Sequence, residues 1–217
     1  MSFEGILLWS IAIGTAIGAA LLVVALRGAE PSAIARATAL GQYTAALEAA
    51  ESEPPRERDD LLAAAIAAKH RCEWERARSW LEAALRDDPT DGEVSVELAL
   101  IAAYNRNAVE ADERLRAAIA ARADLAESIT LHRAFAALAG GDRTHAARLF
   151  EEVEAPLVTK LTVDVGSGEP AFAEWFLHAA ALWRDAGDTE RGDWAWRKAS
   201  ESAPESLLPE HVRRLLG

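Results

Sequence analysis

Small and larger apolar residues follow one another along most of this chain at the three- and four-residue spacing that places side chains on one face of a helix. In the clearest stretch, Ala77 is followed by Leu81 and then by Ala84. The same order, in places degenerate, occurs at four other places: Ala46, Ala50 and Glu53; Ala111, Leu115 and Ala118; Ala146, Phe150 and Val153; Gly192, Trp196 and Ala199. Small residues at this spacing let two antiparallel helices approach closely, and the larger ones fill the gap to the next pair.

A short turn sequence precedes each of these helices, and an Ala-rich helical segment precedes each turn. The turn sequences are Gly41-Gln42-Tyr43, Cys72-Glu73-Trp74, Arg106-Asn107-Ala108, Gly141-Asp142-Arg143 and Gly187-Asp188-Thr189. Prolines at Pro89 and Pro204 follow two of the helices, as is typical after a helix end. The central copies lie roughly 34 residues apart, and an internal repeat of that length indicates an α-solenoid of helical hairpins.

The segment from Trp74 to Pro89 resembles the second helix and exit turn of a tetratricopeptide repeat (TPR). The resemblance implies an all-α array that holds partner proteins and performs no chemistry of its own. It divides the chain into repeats at residues 33–55, 58–91, 92–125, 127–155 and 171–204. An insertion loop, partly extended, is predicted at 156–169, and a C-terminal capping helix at 205–217.

The same resemblance places one side of each first helix on a concave, partner-binding groove. The predicted groove residues are Leu62, Ile66, Val96, Leu100, Leu131, Phe135, Leu177 and Arg184. Such an apolar trough suits an amphipathic helix laid in a groove. The alternative is that neighbouring repeats, or residues 32–50, already cover it. If the groove is open, Phe135→Glu removes binding and leaves the protein folded; if it is covered, the same change unfolds it.

The amino terminus carries a second feature, an uncharged run from Gly5 to Leu26 that follows a short tail at 1–4. Its 22 residues would extend roughly 33 Å as a helix, enough to cross a bilayer core. The prediction is a transmembrane helix at 5–27 and a linker at 28–32, with a cleaved signal peptide as the rival interpretation. Gly14 and Gly18 form a small-xxx-small motif that lets two such helices pack.

The charges that flank this run predict its orientation. Arg27 and Arg36 follow it and no basic residue precedes it, so the positive-inside rule puts the amino terminus outside and the repeats in the cytoplasm. A periplasmic repeat domain is the alternative. An anchor followed by an array resembles membrane-bound TPR adaptors of bacteria and mitochondria.

Composition and charge exclude several functional classes. A net charge of −12 and a pI of about 4.9 argue against nucleic-acid binding, because no basic stripe is present to neutralise phosphates. The five histidines and Cys72 lack the spacing of a zinc site, and no nucleophile elbow or phosphate loop occurs. The sequence therefore predicts no catalytic residue, no metal and no cofactor.

Four of the seven tryptophans gather near the end of the chain. Trp183 and Trp196 match the packing register, whereas Trp175 and Trp194 fit it less well and are candidates for an exposed hot spot. The resulting hypothesis is a TPR scaffold that recruits or holds a protein partner at a bacterial membrane. The alternative is a structural accessory subunit of a larger integral membrane complex, bound through its transmembrane helix and its repeat surface.

Overall fold

The computed structural model describes residues 31–121, 125–163 and 169–217, and every regular element in these ranges is helical. The first four helices are α1 (Ala33–Ala39), α2 (Tyr43–Ser52), α3 (Arg58–His70) and α4 (Trp74–Asp87). The next four are α5 (Gly92–Tyr104), α6 (Ala108–Ala121), α7 (Ala126–Ala139) and α8 (Arg143–Val163). A 3-10 turn at Pro170–Phe172 leads into α9 (Ala173–Asp185), α10 (Thr189–Ser202) and α11 (Leu208–Leu216).

The predicted transmembrane helix at 5–27, with Gly14 and Gly18, lies outside the described residues. Within the ranges that are described, no helix is both long enough and apolar enough to cross a bilayer. This finding contradicts the single-pass membrane localisation predicted from the sequence, and with it both predicted orientations of the repeats.

Five helix pairs share one turn geometry, which makes each pair a hairpin. At the turn, one residue adopts a left-handed conformation: Gly41, Cys72, Arg106, Gly141 and Gly187, with φ between 60° and 91°. The backbone N–H of the next residue then bonds the carbonyl five residues back: Gln42 to Ala37, Glu73 to Ala68, Asn107 to Ala102, Asp142 to Ala137, and Asp188 to Trp183, each at 2.9 Å. This is the Schellman closure of a helix end, so the five copies are structurally equivalent.

The small residues of the sequence pattern lie where the two helices of each hairpin meet. Ala46, Ala77, Ala111, Ala146 and Gly192 are all buried at this contact register. The larger residues that follow them, Leu81, Leu115, Phe150 and Trp196, are buried as well and pack within the core clusters that join neighbouring hairpins. The predicted all-helical, TPR-like solenoid is therefore confirmed for the described residues.

Helix α8 differs from the sequence expectation. A loop was predicted at 156–169, but the helix continues through Pro156 to Val163. Pro156 has no N–H to bond the preceding turn and would ordinarily end or kink a helix. Val153 and Leu157 are both buried, one turn apart on the same face, so core packing on either side of the proline continues the helix past it.

Candidate functional site: the inner face and the arginine cleft

Helix α9 lies across the inner face of the array, where it contacts three earlier hairpins. At its start, Ala173 belongs to the apolar cluster that also contains Tyr43, Leu62 and Ile66. One residue later, Glu174 bonds to side chains of α3 and α5, and farther along the helix His178 bonds to α5 and α7. The last hairpin therefore occupies the concave side that the earlier hairpins would otherwise leave open.

An ion-paired cluster at the centre of this face joins α3, α5 and α9. Lys69 is only 1% exposed, and its Nζ donates to Glu97 Oε2 and to Glu174 Oε2, each at 2.6 Å. Burial would by itself lower the pKa of Lys69, but the two carboxylates raise it above its ordinary value. Burial would raise the pKa of Glu174, but the Lys69 ammonium holds it well below its usual range. Lys69 and Glu174 therefore remain ionised in the interior, whereas burial raises the pKa of Glu97 despite Lys69.

A hydrogen-bonded chain continues from this cluster through three aromatic side chains. Tyr104 donates its hydroxyl proton to Glu174 Oε1 at 2.5 Å, so its oxygen must accept from His178 Nε2–H at 2.8 Å. His178 Nδ1 is then the acceptor for His132 Nδ1–H at 2.9 Å. Each tautomer follows from its neighbour, and both rings are neutral. Burial is the main reason that the pKa of His178 lies well below its ordinary value and that of His132 is lowered to about 4.

The segment between α10 and α11 closes the opposite side of the inner face. Leu207 N–H donates to the carbonyl of His70 at 2.7 Å, and His70 Nδ1 hydrogen-bonds Ser206 Oγ at 2.9 Å. The His70 ring also stacks on Tyr43, with 4.2 Å between ring centroids, and burial lowers its pKa to about 3. This segment is therefore fixed to the end of α3.

Helix α11 completes the closure with two polar contacts and an apolar face. His211 Nε2 donates to the backbone carbonyl of Tyr104 at 2.9 Å, and Arg106 donates to the carbonyl of Leu215. Leu208 and Val212 are buried in the same core as α5, α7 and α9. The chain thus fills its own groove with α9, the connecting segment and α11.

The predicted groove residues fall into two groups. Six are buried within the molecule: Leu62, Ile66, Leu100, Leu131, Phe135 and Leu177. Val96 is half-buried, and Arg184 is exposed. Because the buried six pack against the chain's own helices, they do not line an open groove in this structure.

The tryptophans proposed as exposed hot spots differ from that expectation. Trp175 is only 5% exposed, since its ring packs edge-on against His132 and Phe172. Trp194 is half-buried and lies edge-on to Phe176, with ring centroids 5.5 Å apart. Trp175 is therefore a core residue, which corrects the exposed position suggested by its register.

One cleft remains open at the end of the inner face, between α7, α9, α10 and α11. It encloses about 610 Å³. Its floor is mainly apolar and its rim carries four arginines and one aspartate; the lining includes Leu138, Ala139, Ala181, Trp196, Val212, Leu215 and Leu216, with Arg106, Arg143, Arg184, Arg213 and Asp185. We call this the arginine cleft.

Two of these arginines lie over one indole ring. The Arg184 guanidinium is 4.7 Å from the centroid of the Trp196 ring, and that of Arg213 is 5.3 Å from it. Arg184 also bonds Asp193, and Arg213 bonds Glu210 at 2.8 Å. A cation placed over an aromatic face is attracted by the ring quadrupole, so Trp196 holds both guanidiniums at the mouth of the cleft.

A second, larger depression lies on the outer side, between α8 and the turn from α9 to α10, and encloses about 1110 Å³. Arg143, Arg148 and Arg191 border it together with five acidic residues: Glu151, Glu154, Asp185, Asp188 and Glu190. Its charges are mixed, so it offers no clear electrostatic preference for a ligand.

Sequence reasoning missed the buried polar network and the arginine cleft. The signal for the network was Lys69, a charged residue in the inner register that directly follows the apolar run 61–68 of its helix, together with His132 and His178 at comparable positions. The cleft had no comparable signal, because its arginines come from four separate places in the chain.

The chain is similar in fold to several solved structures, at low sequence identity. No family model and no curated protein matches the chain. A solved structure titled "MamA MSR-1 C2" is 17% identical, with a TM-score of 0.47 over 78% of this chain and 91% of that one. A second, "MamA AMB-1 C2221", is 20% identical, with a TM-score of 0.46 over 78% and 93%. YrrB, described as a TPR protein with an unusual peptide-binding site, is 18% identical, with a TM-score of 0.39 over 91% and 90%. The five equivalent hairpins themselves give this chain the fold of a TPR array.

Proposed function

We propose that this protein is a scaffold that binds a partner protein through the arginine cleft. The observation that carries the proposal is the cleft itself, an accessible concavity with an apolar floor and four arginines at its rim. Concave sites with apolar walls and a few polar groups are the usual places for specific binding. The rest of the inner face is occupied by α9 and α11, so a partner reaches the cleft without first displacing part of the chain.

Binding without catalysis accounts best for the ionisable groups of the inner face. Lys69, Glu174, Tyr104 and His178 are buried and are hydrogen-bonded to one another. Groups in that arrangement stabilise a closed array, whereas a general acid or base must reach a substrate. The proposed role of the network is therefore to hold the last hairpin across the earlier ones, which keeps the cleft in one shape.

Site-specific photo-crosslinking in cells that express the full chain tests the proposal. A photoreactive residue replaces Arg143, whose side chain is 75% exposed at the rim of the cleft. Two controls are needed, because Arg143 also borders the outer depression. One replaces Arg116, which is 62% exposed on α6 and lines neither concavity, and the other replaces Arg148, which is exposed and borders the outer depression but not the cleft. We expect one discrete protein adduct from position 143 and none of the same mass from position 116 or 148. Absence of any adduct from position 143, or the same adduct from a control position, contradicts the proposal.

A further inference from the structure

We propose that the segment bound by the arginine cleft is an acidic stretch of a partner protein that also carries apolar side chains. This inference rests on the proposed function and names the chemistry of its partner. The chain has 35 acidic and 23 basic residues, whereas the side chains that line the cleft include four arginines and one carboxylate, Asp185. Three of these arginines already pair with a carboxylate, from Asp185, Asp193 and Glu210, while Arg106 donates to a carbonyl. An acidic segment is favoured here over the rest of the acidic surface, because it meets guanidinium groups instead of further carboxylates.

The arginines retain hydrogen-bonding capacity for an incoming carboxylate. A guanidinium has five N–H donors in a planar fork. In Arg213 the bond to Glu210 uses Nη1, and in Arg143 the ion pair with Asp185 uses Nε. Arg184 is more fully engaged, because both its Nε and its Nη2 donate to Asp193. Arg106 donates through Nη2 to a backbone carbonyl rather than to a carboxylate. A bound carboxylate can thus be met by further N–H groups, in the charge-assisted geometry for which arginine is suited.

The apolar floor of the cleft indicates that the partner segment carries apolar side chains as well as carboxylates. Leu138, Ala181 and Val212 are buried beneath it, and the partly exposed Leu215 and Leu216 form one wall. A simple anion would pair with the arginines of the rim but leave this apolar surface exposed to water. A peptide with apolar side chains between its carboxylates covers both, because apolar surface removed from water adds to the affinity.

Single-stranded nucleic acid fits the cleft less well than an acidic peptide. It could pair with the arginines and stack on an aromatic ring, but Trp196 is buried beneath Arg184 and Arg213 and presents no open face for a base. The net charge of −12 also repels a long polyanion along the rest of the molecule.

The test measures fluorescence anisotropy of short labelled peptides with the full chain. The principal probe alternates Glu and Leu; one comparison peptide replaces Glu by Lys, and another replaces Leu by Ser. We expect saturable binding of the Glu/Leu peptide that weakens with added salt, weaker binding of the Glu/Ser peptide and none of the Lys/Leu peptide. No saturation by the Glu/Leu peptide at about 1 mM overturns the inference. Equal binding of the Glu/Leu and Lys/Leu peptides also overturns it, as does tighter binding of an RNA oligonucleotide.

Two adjacent arginines provide a matched pair of variants. Arg213 lines the cleft and is 59% exposed, whereas Arg214 is 70% exposed, lies outside the lining, and also faces Glu210. We expect Arg213→Glu to lower the affinity for the Glu/Leu peptide about tenfold or more. Arg214→Glu should change that affinity less than about twofold. Equal effects of the two changes overturn the inference. Arg143→Glu, at an exposed rim position, gives an independent second variant, and circular dichroism verifies that each variant is folded.

The two experiments separate failure of this inference from failure of the proposed function. An adduct at position 143 with no binding of the acidic peptide leaves the scaffold in place and overturns the acidic partner. If neither the adduct nor peptide binding is observed, the scaffold proposal and the acidic-partner inference are both overturned. A photo-adduct that maps to an acidic, apolar stretch of the partner, and that disappears in Arg213→Glu, supports both.

Discussion

At the scale of single residues, Lys69 joins three helices, α3, α5 and α9, through one buried side chain. Its ammonium is buried and pairs with two buried carboxyl groups that come from different hairpins. A buried ion pair adds little net stability compared with an apolar replacement, but removal of one partner leaves an uncompensated charge. Lys69 is therefore needed chiefly because Glu97 and Glu174 are there.

Replacing Lys69 with Met tests this dependence. We expect Lys69→Met to lower the free energy of unfolding by about 3–5 kcal/mol, because Glu97 and Glu174 would lose their counterion. The triple variant Lys69→Met, Glu97→Gln and Glu174→Gln should recover part of that loss in urea denaturation. Lys198→Met is the control, since Lys198 forms an exposed pair with Glu201 and should cost less than about 1 kcal/mol. A stable Lys69→Met single variant would show that the network is not ionised.

Phe135 gives a second prediction at this scale. Its side chain is fully buried and its ring stacks on His178, with centroids 3.9 Å apart. The sequence left two outcomes open for Phe135→Glu, a folded protein that does not bind or an unfolded protein. Because Phe135 is buried, we expect unfolding, since the new carboxylate would have no counterion in the core. We expect loss of the cooperative transition in circular dichroism, whereas Phe135→Leu should fold with a lower midpoint. A folded Phe135→Glu protein with a normal midpoint would mean that the inner face opens readily.

At the scale of helices, the sequence predicted the hairpins well because the interactions that define them are local. Each turn needs a residue that tolerates a left-handed conformation, and each helix pair needs small residues at one register. Cys72 and Arg106 occupy turn positions that glycine fills elsewhere, yet the same hydrogen bonds form there. The extension of α8 past Pro156 was not predictable in this way, since burial of Leu157 depends on the surrounding core.

Overpacking at the helix contact tests the repeat register. Ala111 is fully buried in the α5–α6 hairpin, whereas Glu113, two positions along the same helix, is exposed. We expect Ala111→Leu to cost about 1–3 kcal/mol, because the larger side chain must push neighbouring atoms aside. Glu113→Leu should change the midpoint of thermal unfolding little. Equal midpoints for the two variants would show that Ala111 does not lie in a tight contact.

At the scale of the whole molecule, closure of the array could not be read from the repeats. Lys69 and Glu174 are separated by 105 positions in the chain, and helical periodicity predicts which face is apolar but not what covers it. The prediction that Leu100, Leu131 and Phe135 face inward was compatible with an open groove and with a covered one. The late start of the last hairpin was visible in the sequence, but its consequence, the crossing of α9 over the inner face, depends on tertiary contacts.

The closed array also gives the protein a pH-dependent stability. His70, His132 and His178 are buried and neutral, and burial is the main cause of their lowered pKa values, about 3 for His70 and about 4 for His132. In the unfolded chain the same rings titrate near their ordinary pKa of about 6.5. As pH falls below that value the unfolded state takes up protons that the folded state does not, so the folded state loses stability.

The expected loss of stability has a defined window and a maximum slope. Between about pH 6.5 and the lowered pKa values, each histidine contributes up to about 1.4 kcal/mol per pH unit. Glu174, whose pKa is lowered, adds to the loss only below its ordinary value of about 4.5. Glu93 and Glu97 act in the opposite direction, because burial raises their pKa values despite Arg58 and Lys69, and protonation of these carboxyl groups then favours the folded state. The three histidines outnumber these two carboxyl groups above about pH 5.

Urea denaturation from pH 7.5 down to about pH 5 measures this dependence. We expect the free energy of unfolding to fall steadily below about pH 6.5, and His132→Gln to flatten the slope because one buried titrating ring is removed. His145 is exposed on α8, so His145→Gln should leave the slope unchanged. A stability that stays constant over this range would mean that the three rings titrate alike in both states. The last hairpin would then not be sealed against the inner face as the hydrogen-bonded chain from Glu174 to His132 requires.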